Sequence, residues 1–275
     1  MKKHDDLPDG LREALDSRNG EITQRWSEGA RTYLYANSAG GHLFARTSSD
    51  PHDVATFAHE ARVREIVGAE GSLRTPPVIA GGKDWLLEVA IDPEPFRGSR
   101  AVTTLVEATD ALQQVSLPAA QQAGARHSPL DVLKRRVTLV RAGLKVRDLI
   151  AARRILNDPG LPEVTSHGDF HGGNVFLSDG AIWVVDWEMV GSRAAGYDLM
   201  QFWASVEEEE DRAALFEAAV AMVGTYHRSK LARLRYALLV RTIADKLGAT
   251  KHYNQDIRGG RRLLELLARA RKSSD

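Results

Sequence analysis

His167-Gly168-Asp169-Phe170-His171-Gly172-Gly173-Asn174 is followed, twelve residues after its last member, by Asp186-Trp187-Glu188. The stretch before it ends in Val164-Thr165-Ser166, which reads as a strand. After it, Val175-Phe176-Leu177 is apolar, Ser178-Asp179-Gly180 has turn chemistry, and Ile182-Trp183-Val184-Val185 reads as a second strand. A loop bearing Asp169 and Asn174 therefore runs into a hairpin that delivers a second carboxylate, Asp186. Phosphoryl transfer from a magnesium nucleotide needs such a set: a carboxylate to orient the acceptor hydroxyl, and an amide and a carboxylate to hold magnesium.

Outward from this segment, the chain changes character near residue 91. From Glu21 to Ile91 the signals are short strands: Ile22 to Trp26, Thr32 to Tyr35, Leu43 to Thr47, Val78 to Ala80 and Trp85 to Ile91. One helix, from about Pro51 to Ala69, interrupts them. Asp92-Pro93-Glu94-Pro95-Phe96-Arg97-Gly98 reads as a linker, and Gln113 to Ser128 as a loop. Apolar residues at three- and four-residue spacing then predict helices over Ala101–Val115, Leu130–Leu156, Tyr197–Val206, Arg212–His227, Leu231–Leu247 and Gly260–Arg271. The expected plan is α+β: a small antiparallel-sheet lobe with one helix, residues 1–91, and a larger, mainly helical lobe, residues 92–275.

With 43% hydrophobic and 27% charged residues, the 275-residue chain has the composition of a globular protein. No apolar run approaches the roughly 20 residues of a membrane helix, and no apolar segment follows the N-terminal Met1-Lys2-Lys3, so a cytoplasmic location is expected. The absence of cysteine excludes disulfides, thiolate nucleophiles and cysteine-based zinc sites. Formal net charge is zero, but Glu207 to Asp211 is an unbroken acidic block, and from Arg228 onward thirteen Lys and Arg face four Asp and Glu. Without interleaved aromatics that basic region gives no reason to expect nucleic acid as a partner.

The motif, with Val185 before Asp186 and with Gly196-Tyr197-Asp198-Leu199 downstream, resembles the catalytic segment of the aminoglycoside phosphotransferase and choline kinase-like family. These small-molecule kinases share a two-lobed, protein-kinase-like fold. The resemblance is strong over about residues 164–203 and otherwise lies in layout. It implies that Asp169 is the catalytic base, that Asn174 and Asp186 hold magnesium, and that His167 bonds within the catalytic loop. Glu188 would bind a second metal through water or orient the loop, and Asp198 would cap its helix and tie it to that loop. His171 has no role in such a mechanism. Implied cofactors are Mg2+ and ATP, with GTP as the alternative donor. The implied partner is a small-molecule hydroxyl acceptor, an aminoglycoside-type antibiotic being one candidate.

Kinases place a Lys on the third strand to hold the nucleotide phosphates, paired to a Glu of the neighbouring helix. The only lysines of the first ninety residues are Lys2, Lys3 and Lys83. Arg46, in the strand Leu43–Thr47, stands where that Lys is expected, and its planar fork also grips phosphate. Glu60 is its expected partner, because it shares an otherwise apolar stripe with Phe57, Val63 and Val67 and a buried carboxylate needs a cation. Glu65 lies on an exposed stripe. No Gly-x-Gly-x-x-Gly occurs; Ser27-Glu28-Gly29-Ala30-Arg31 is the candidate phosphate-covering loop. By resemblance, adenine would meet backbone atoms from Glu88 to Ala90.

Three other classes compete. A two-metal hydrolase would use His167, Asp169 and His171 as ligands, but needs an upstream Asp-x-His and a downstream Asn-His pair, and neither exists. A protein kinase needs a long activation segment, and Asp198 lies only twelve residues after Asp186. A non-catalytic kinase-fold protein that binds nucleotide or a partner is the remaining alternative. Arg46 and the glycine-poor loop favour it, and the complete Asp169, Asn174 and Asp186 set opposes it.

Overall fold

The computed structural model describes residues 7–28, 30–70, 73–117, 144–249 and 265–268. The chain divides into two compact units. The first is built from the described parts of Met1–Phe96 and from Gly173–Val190, with a short piece that starts at Val115. The second comprises Arg97–Gln114, the described residues up to Gly172, and those from Gly191 on. The hairpin carrying Asp186 thus groups with the N-terminal strands, although in sequence it follows residue 92.

In the first unit, β1 (Glu21–Glu28), β2 (Arg31–Ser38), β3 (Gly41–Ser48), β4 (Val78–Gly81) and β5 (Trp85–Val89) form an antiparallel sheet of order β1-β2-β3-β5-β4. Strand alternation sorts its side chains. Leu43 and Ala45 of β3, with Leu34, Ala36, Trp85 and Leu87, form a buried apolar layer. Helix α1 (Asp9–Asp16), which the sequence reading does not contain, covers that layer with Leu11 and Leu15. Its eight residues carry the apolar pair at i and i+4, too short a pattern to separate from a polar terminus.

Phe44 and Arg46 of β3 point to the opposite face. Phe44 joins an aromatic strip with Trp26, Tyr33 and Tyr35. Helix α2 (Pro51–Glu70) presents Phe57, Glu60, Val63, Arg64 and Val67, all buried, at helical spacing. The expected linker contributes Glu94, whose N–H donates to the Leu177 carbonyl at 2.7 Å.

The hairpin β7 (Val175–Ser178) and β8 (Ala181–Val184) also belongs to this unit. Its turn residues Asp179 and Gly180 both have positive φ, 51° and 68°, the conformation a two-residue hairpin turn requires. Arg74 anchors it through backbone bonds to Ile182 and Val184 and a guanidinium over the Trp183 ring.

The second unit holds α3 (Gly98–Gln114), α4 (Val146–Asn157), α5 (Tyr197–Trp203), α6 (Glu209–Val223) and α7 (Arg228–Ala249), with β6 (Glu163–Ser166) paired antiparallel to β9 (Gly191–Ala194). The expected helix Leu130–Leu156 begins, among the described residues, only at Val146. Lys145 is its N-cap, and the Asp148 carboxylate accepts from the Lys145 N–H. Residues 118–143 and most of Gly260–Arg271 lie outside the described residues; 265–268 are helical. Strand β9 is unanticipated, since Gly-Ser-Arg-Ala has no apolar alternation and is held by pairing with β6. No helix among the described residues is long and apolar enough to cross a membrane.

Candidate active site

Asp169 follows β6 on a loop whose backbone is fixed from α5. Both His167 and Gly168 donate their N–H groups to the Asp198 carboxylate, at 2.9 and 3.1 Å, and the Ser166 hydroxyl donates to it at 2.7 Å. Gly168 lies at φ 83°, so the chain turns there at no side-chain cost. Asp198 is buried and ties the loop to the helix, as expected. It does not cap the helix: the N-cap is Gly196, at φ 81°, and the Asp198 carboxylate faces the loop instead.

His167 is fully buried, its Nδ1 accepting from the Asp169 N–H at 3.3 Å and its ring set edge-on to Phe170. It sits within the loop, as the resemblance implies.

The Asp169 carboxylate is held on both oxygens. Gln201 Nε2 donates to Oδ1 at 3.0 Å, and His171 Nε2 lies 3.4 Å from Oδ2. Gln201 also accepts from the Phe170 N–H at 3.1 Å, so one buried amide fixes both the loop and its carboxylate. Burial acts to raise the Asp169 pKa, but the His171 hydrogen bond and charge, then His167 and Arg241, outweigh it and hold the carboxyl below its ordinary value. Asp169 is therefore ionised at neutral pH.

Neither Gln201 nor the touch of His171 on Asp169 is in the sequence reading. The three-residue spacing Asp198–Gln201, which places both on one face of a helix, is the signal for Gln201. For His171 there is none, since a loop histidine two residues from an Asp points anywhere.

The remaining predicted residues fall in the first unit. Arg46 is buried and donates from Nη2 to Glu60 Oε2 at 2.5 Å, with its guanidinium over the Phe57 ring. Asp186 Oδ1 is 3.8 Å from Arg46 Nη1. Burial acts to lower the Arg46 pKa, yet Glu60, Glu88 and Asp186 hold it above the usual value. Burial likewise acts to raise that of Glu60, but Arg46 and Arg64 hold it low, helped by the Trp187 backbone N–H. The Trp187 bond brings the residue after Asp186 against Glu60, so β3, α2 and the hairpin end meet at one cluster. Glu65 is exposed, as its stripe predicts.

Asp186 itself adopts a left-handed conformation, φ 63° and ψ 60°, unusual for a residue with a side chain and frequent at functional sites. Asn174 is buried, and its backbone carbonyl accepts from the Val185 N–H at 3.0 Å, which sets Asn174 beside the strand end that carries Asp186. An amide oxygen and a carboxylate are hard donors suited to magnesium, which takes few protein ligands and completes its shell with phosphate oxygens and water. No three His, Asp or Glu side chains gather into a metal site by themselves among the described residues. This donor pair fits magnesium carried with a nucleotide.

Glu188 accepts from Arg31 Nη2 at 2.8 Å, and the same nitrogen donates to Asp53 at 2.7 Å. Arg31 thereby joins β2, α2 and the short helix after Asp186, a link invisible in sequence because its members lie 22 and 157 residues apart. Gly29 of the candidate phosphate-covering loop lies outside the described residues, where β1 and β2 pair as far as Glu28 and Arg31. Glu88 is buried and accepts from Arg64 at 2.5 Å, and the Ala90 N–H donates to the His42 carbonyl at 2.9 Å.

The acidic block Glu207–Asp211 is partly committed to structure. Asp211 accepts from the Gly98 N–H at 2.9 Å, and Glu209 pairs with the buried Arg212, which also bonds the Val206 and Glu207 carbonyls.

A model of the phosphotransferase enzyme family matches residues 21–235. The chain belongs to that family. Solved structures share the fold of this phosphotransferase at low identity. A choline kinase from Streptococcus pneumoniae is 11% identical with a TM-score of 0.63, covering 96% of this chain and 98% of its own. An ethanolamine kinase from Plasmodium vivax is 13% identical at 0.57, covering 98% and 86%. A macrolide 2'-phosphotransferase from Brachybacterium faecium is 15% identical at 0.56, covering 91% and 100%. No curated protein sequence matches the chain. The phosphotransferase therefore has the α+β, protein-kinase-like fold expected of it, and its reaction class is phosphoryl transfer.

Proposed function

We propose that this phosphotransferase moves the γ-phosphoryl group of ATP, or of GTP, to a hydroxyl group of a small molecule, with Asp169 as the base. The observation that carries the reading is the Asp169 carboxylate, ionised and held by Gln201 and His171 on a loop clamped by Asp198. Asp169 accepts a hydrogen bond from the acceptor hydroxyl and points its lone pair along the line of attack. The bond from that oxygen to the γ-phosphorus forms as the bond to the β-phosphate oxygen breaks. The nucleoside diphosphate leaves, and the hydroxyl proton passes to Asp169 late in the step.

Asn174 and Asp186 would hold Mg2+, which neutralises charge on the phosphates when bound. Arg46, fixed by Glu60, supplies a permanent cation toward the α- and β-phosphates in place of the usual Lys. With the Val89 and Ala90 N–H groups donating to Pro77 and His42, carbonyl oxygens between Glu88 and Ala90 would take the adenine amino group. Glu188, tied to Arg31, holds the turn after Asp186 in place. Because the transition state is loose, rate comes from positioning and charge neutralisation. A cytoplasmic location suits a nucleotide-dependent reaction.

The test is transfer of labelled γ-phosphate from ATP and GTP, with magnesium, to alcohols of several classes. Asp169→Asn is the control and should lose transfer while keeping nucleotide affinity. Equal turnover by this variant would remove Asp169 from the base role.

A further inference from the structure

The side chains around Asp169 carry information about the acceptor. Tyr197 and Gln201 stand four residues apart on α5, on adjacent turns of one helical face. Gln201 holds Asp169, and the Tyr197 hydroxyl is held by Arg241 of α7. The guanidinium is thus anchored about one helical turn from the anchor of the catalytic carboxylate. Arg193 of β9 adds a second cation near Tyr197, and His171 lies against Asp169 from the loop. Among the described residues, the acids that act on Tyr197 are Asp169 and Asp198, the latter occupied by Ser166 and two loop N–H groups. The acidic block that would suit a polycation is spent in part on Gly98 and Arg212.

Resting on the kinase reading above, we propose that the acceptor carries an anionic group, a carboxylate or a phosphate, and that Arg241, steadied by Tyr197, binds it while Asp169 receives the hydroxyl. A guanidinium offers a planar fork of donors matched to either anion. The same field opposes choline-like and aminoglycoside-like cations. Arg241 is a specificity-determining residue and takes no part in the chemical step.

The experiment compares kcat/KM across acceptors that share a hydroxyl scaffold and differ in charge: glycerol, glycerate and glycerol phosphate; glucose, gluconate and glucose phosphate; and choline and kanamycin as cations. Carboxylate and phosphate members separate the two sources of anion. The expected result is a preference of about 100-fold for an anionic member over its neutral parent, the scale of one charge-assisted contact. Arg241→Ala should remove that preference chiefly through KM for the anionic member, with the nucleotide KM unchanged. Arg241→Lys should restore part of it, and Arg241→Glu should turn the preference toward cations. Asp169-dependent transfer that favours neutral or cationic members overturns the inference alone, as does an Arg241→Ala loss that is equal for every acceptor. No Asp169-dependent transfer to any member overturns the kinase reading and this inference together.

Discussion

If Asp169 is the base, as proposed, His171 is the side chain that sets its working range. Burial alone would lift the Asp169 pKa, and His171 supplies the leading opposing contributions, a hydrogen bond and a charge. A depressed carboxyl pKa means that Asp169 stays ionised, and so competent, until the pH falls well below neutral. Replacing His171 by Ala should therefore raise the acid limb of the kcat–pH profile, moving it toward neutrality, and a limb that stays in place would show that the pair does not control the base. Arg46 is the second decisive residue. Its partner Glu60 is fully buried, and removing Arg46 leaves that carboxylate without its direct ion pair, held by the Arg64 charge and the Trp187 N–H. Arg46→Met should cost about 3–5 kcal/mol in denaturant unfolding at neutral pH, while the double change Arg46→Met with Glu60→Leu should recover much of it. Because the folded pKa of Glu60 is depressed, its stabilisation is present above the unfolded carboxyl value of about 4.3 and is lost as pH falls through the folded value. The pairing of Arg46 with Glu60 was legible from one helical stripe and one misplaced basic residue. The parts played by Gln201, Arg31 and Arg241 were not, because each depends on a contact made across more than twenty residues.

The catalytic loop owes its shape to elements on either side of it. Asp198 offers one carboxylate to Ser166, His167 and Gly168, and so sets the end of β6 and the start of the loop from α5. Asp198→Ala takes this acceptor from the Ser166 hydroxyl and the His167 N–H in a buried setting, while the Gly168 N–H keeps Ser166 Oγ at 3.1 Å, at a cost of about 1–3 kcal/mol for each group left unsatisfied. The expected result is a lower unfolding midpoint together with a fall in kcat larger than any change in nucleotide affinity. An unchanged kcat would show that the loop keeps its shape unaided. At this scale the strands around the motif read clearly from sequence, since β7 and β8 alternate around an Asp-Gly turn. Strand β9 did not, because Gly191–Ala194 becomes a strand only by pairing with β6. Helix α1 was missed for the same reason: its stability lies in Leu11 and Leu15 meeting the sheet rather than in its own eight residues.

Across the whole chain, the α+β plan followed from a change of hydrophobic period near residue 91, a local property that survives folding. The grouping of Gly173–Val190 with the N-terminal strands is a tertiary property and leaves no local trace. The resemblance in residues 164–203 extends, as a family match, over residues 21–235, which sets the reaction class but not the acceptor. One assay bears on everything above: γ-phosphate transfer from magnesium ATP to the best acceptor of the charge-graded panel, comparing the unmodified chain with Asp169→Asn. Acceptor-dependent transfer that drops about 1000-fold in the variant, the scale of a lost general base, with nucleotide affinity retained, is the expected outcome. Transfer at the same rate by both proteins, or nucleotide binding with no transfer to any acceptor, would contradict it and leave a kinase fold that binds without catalysing.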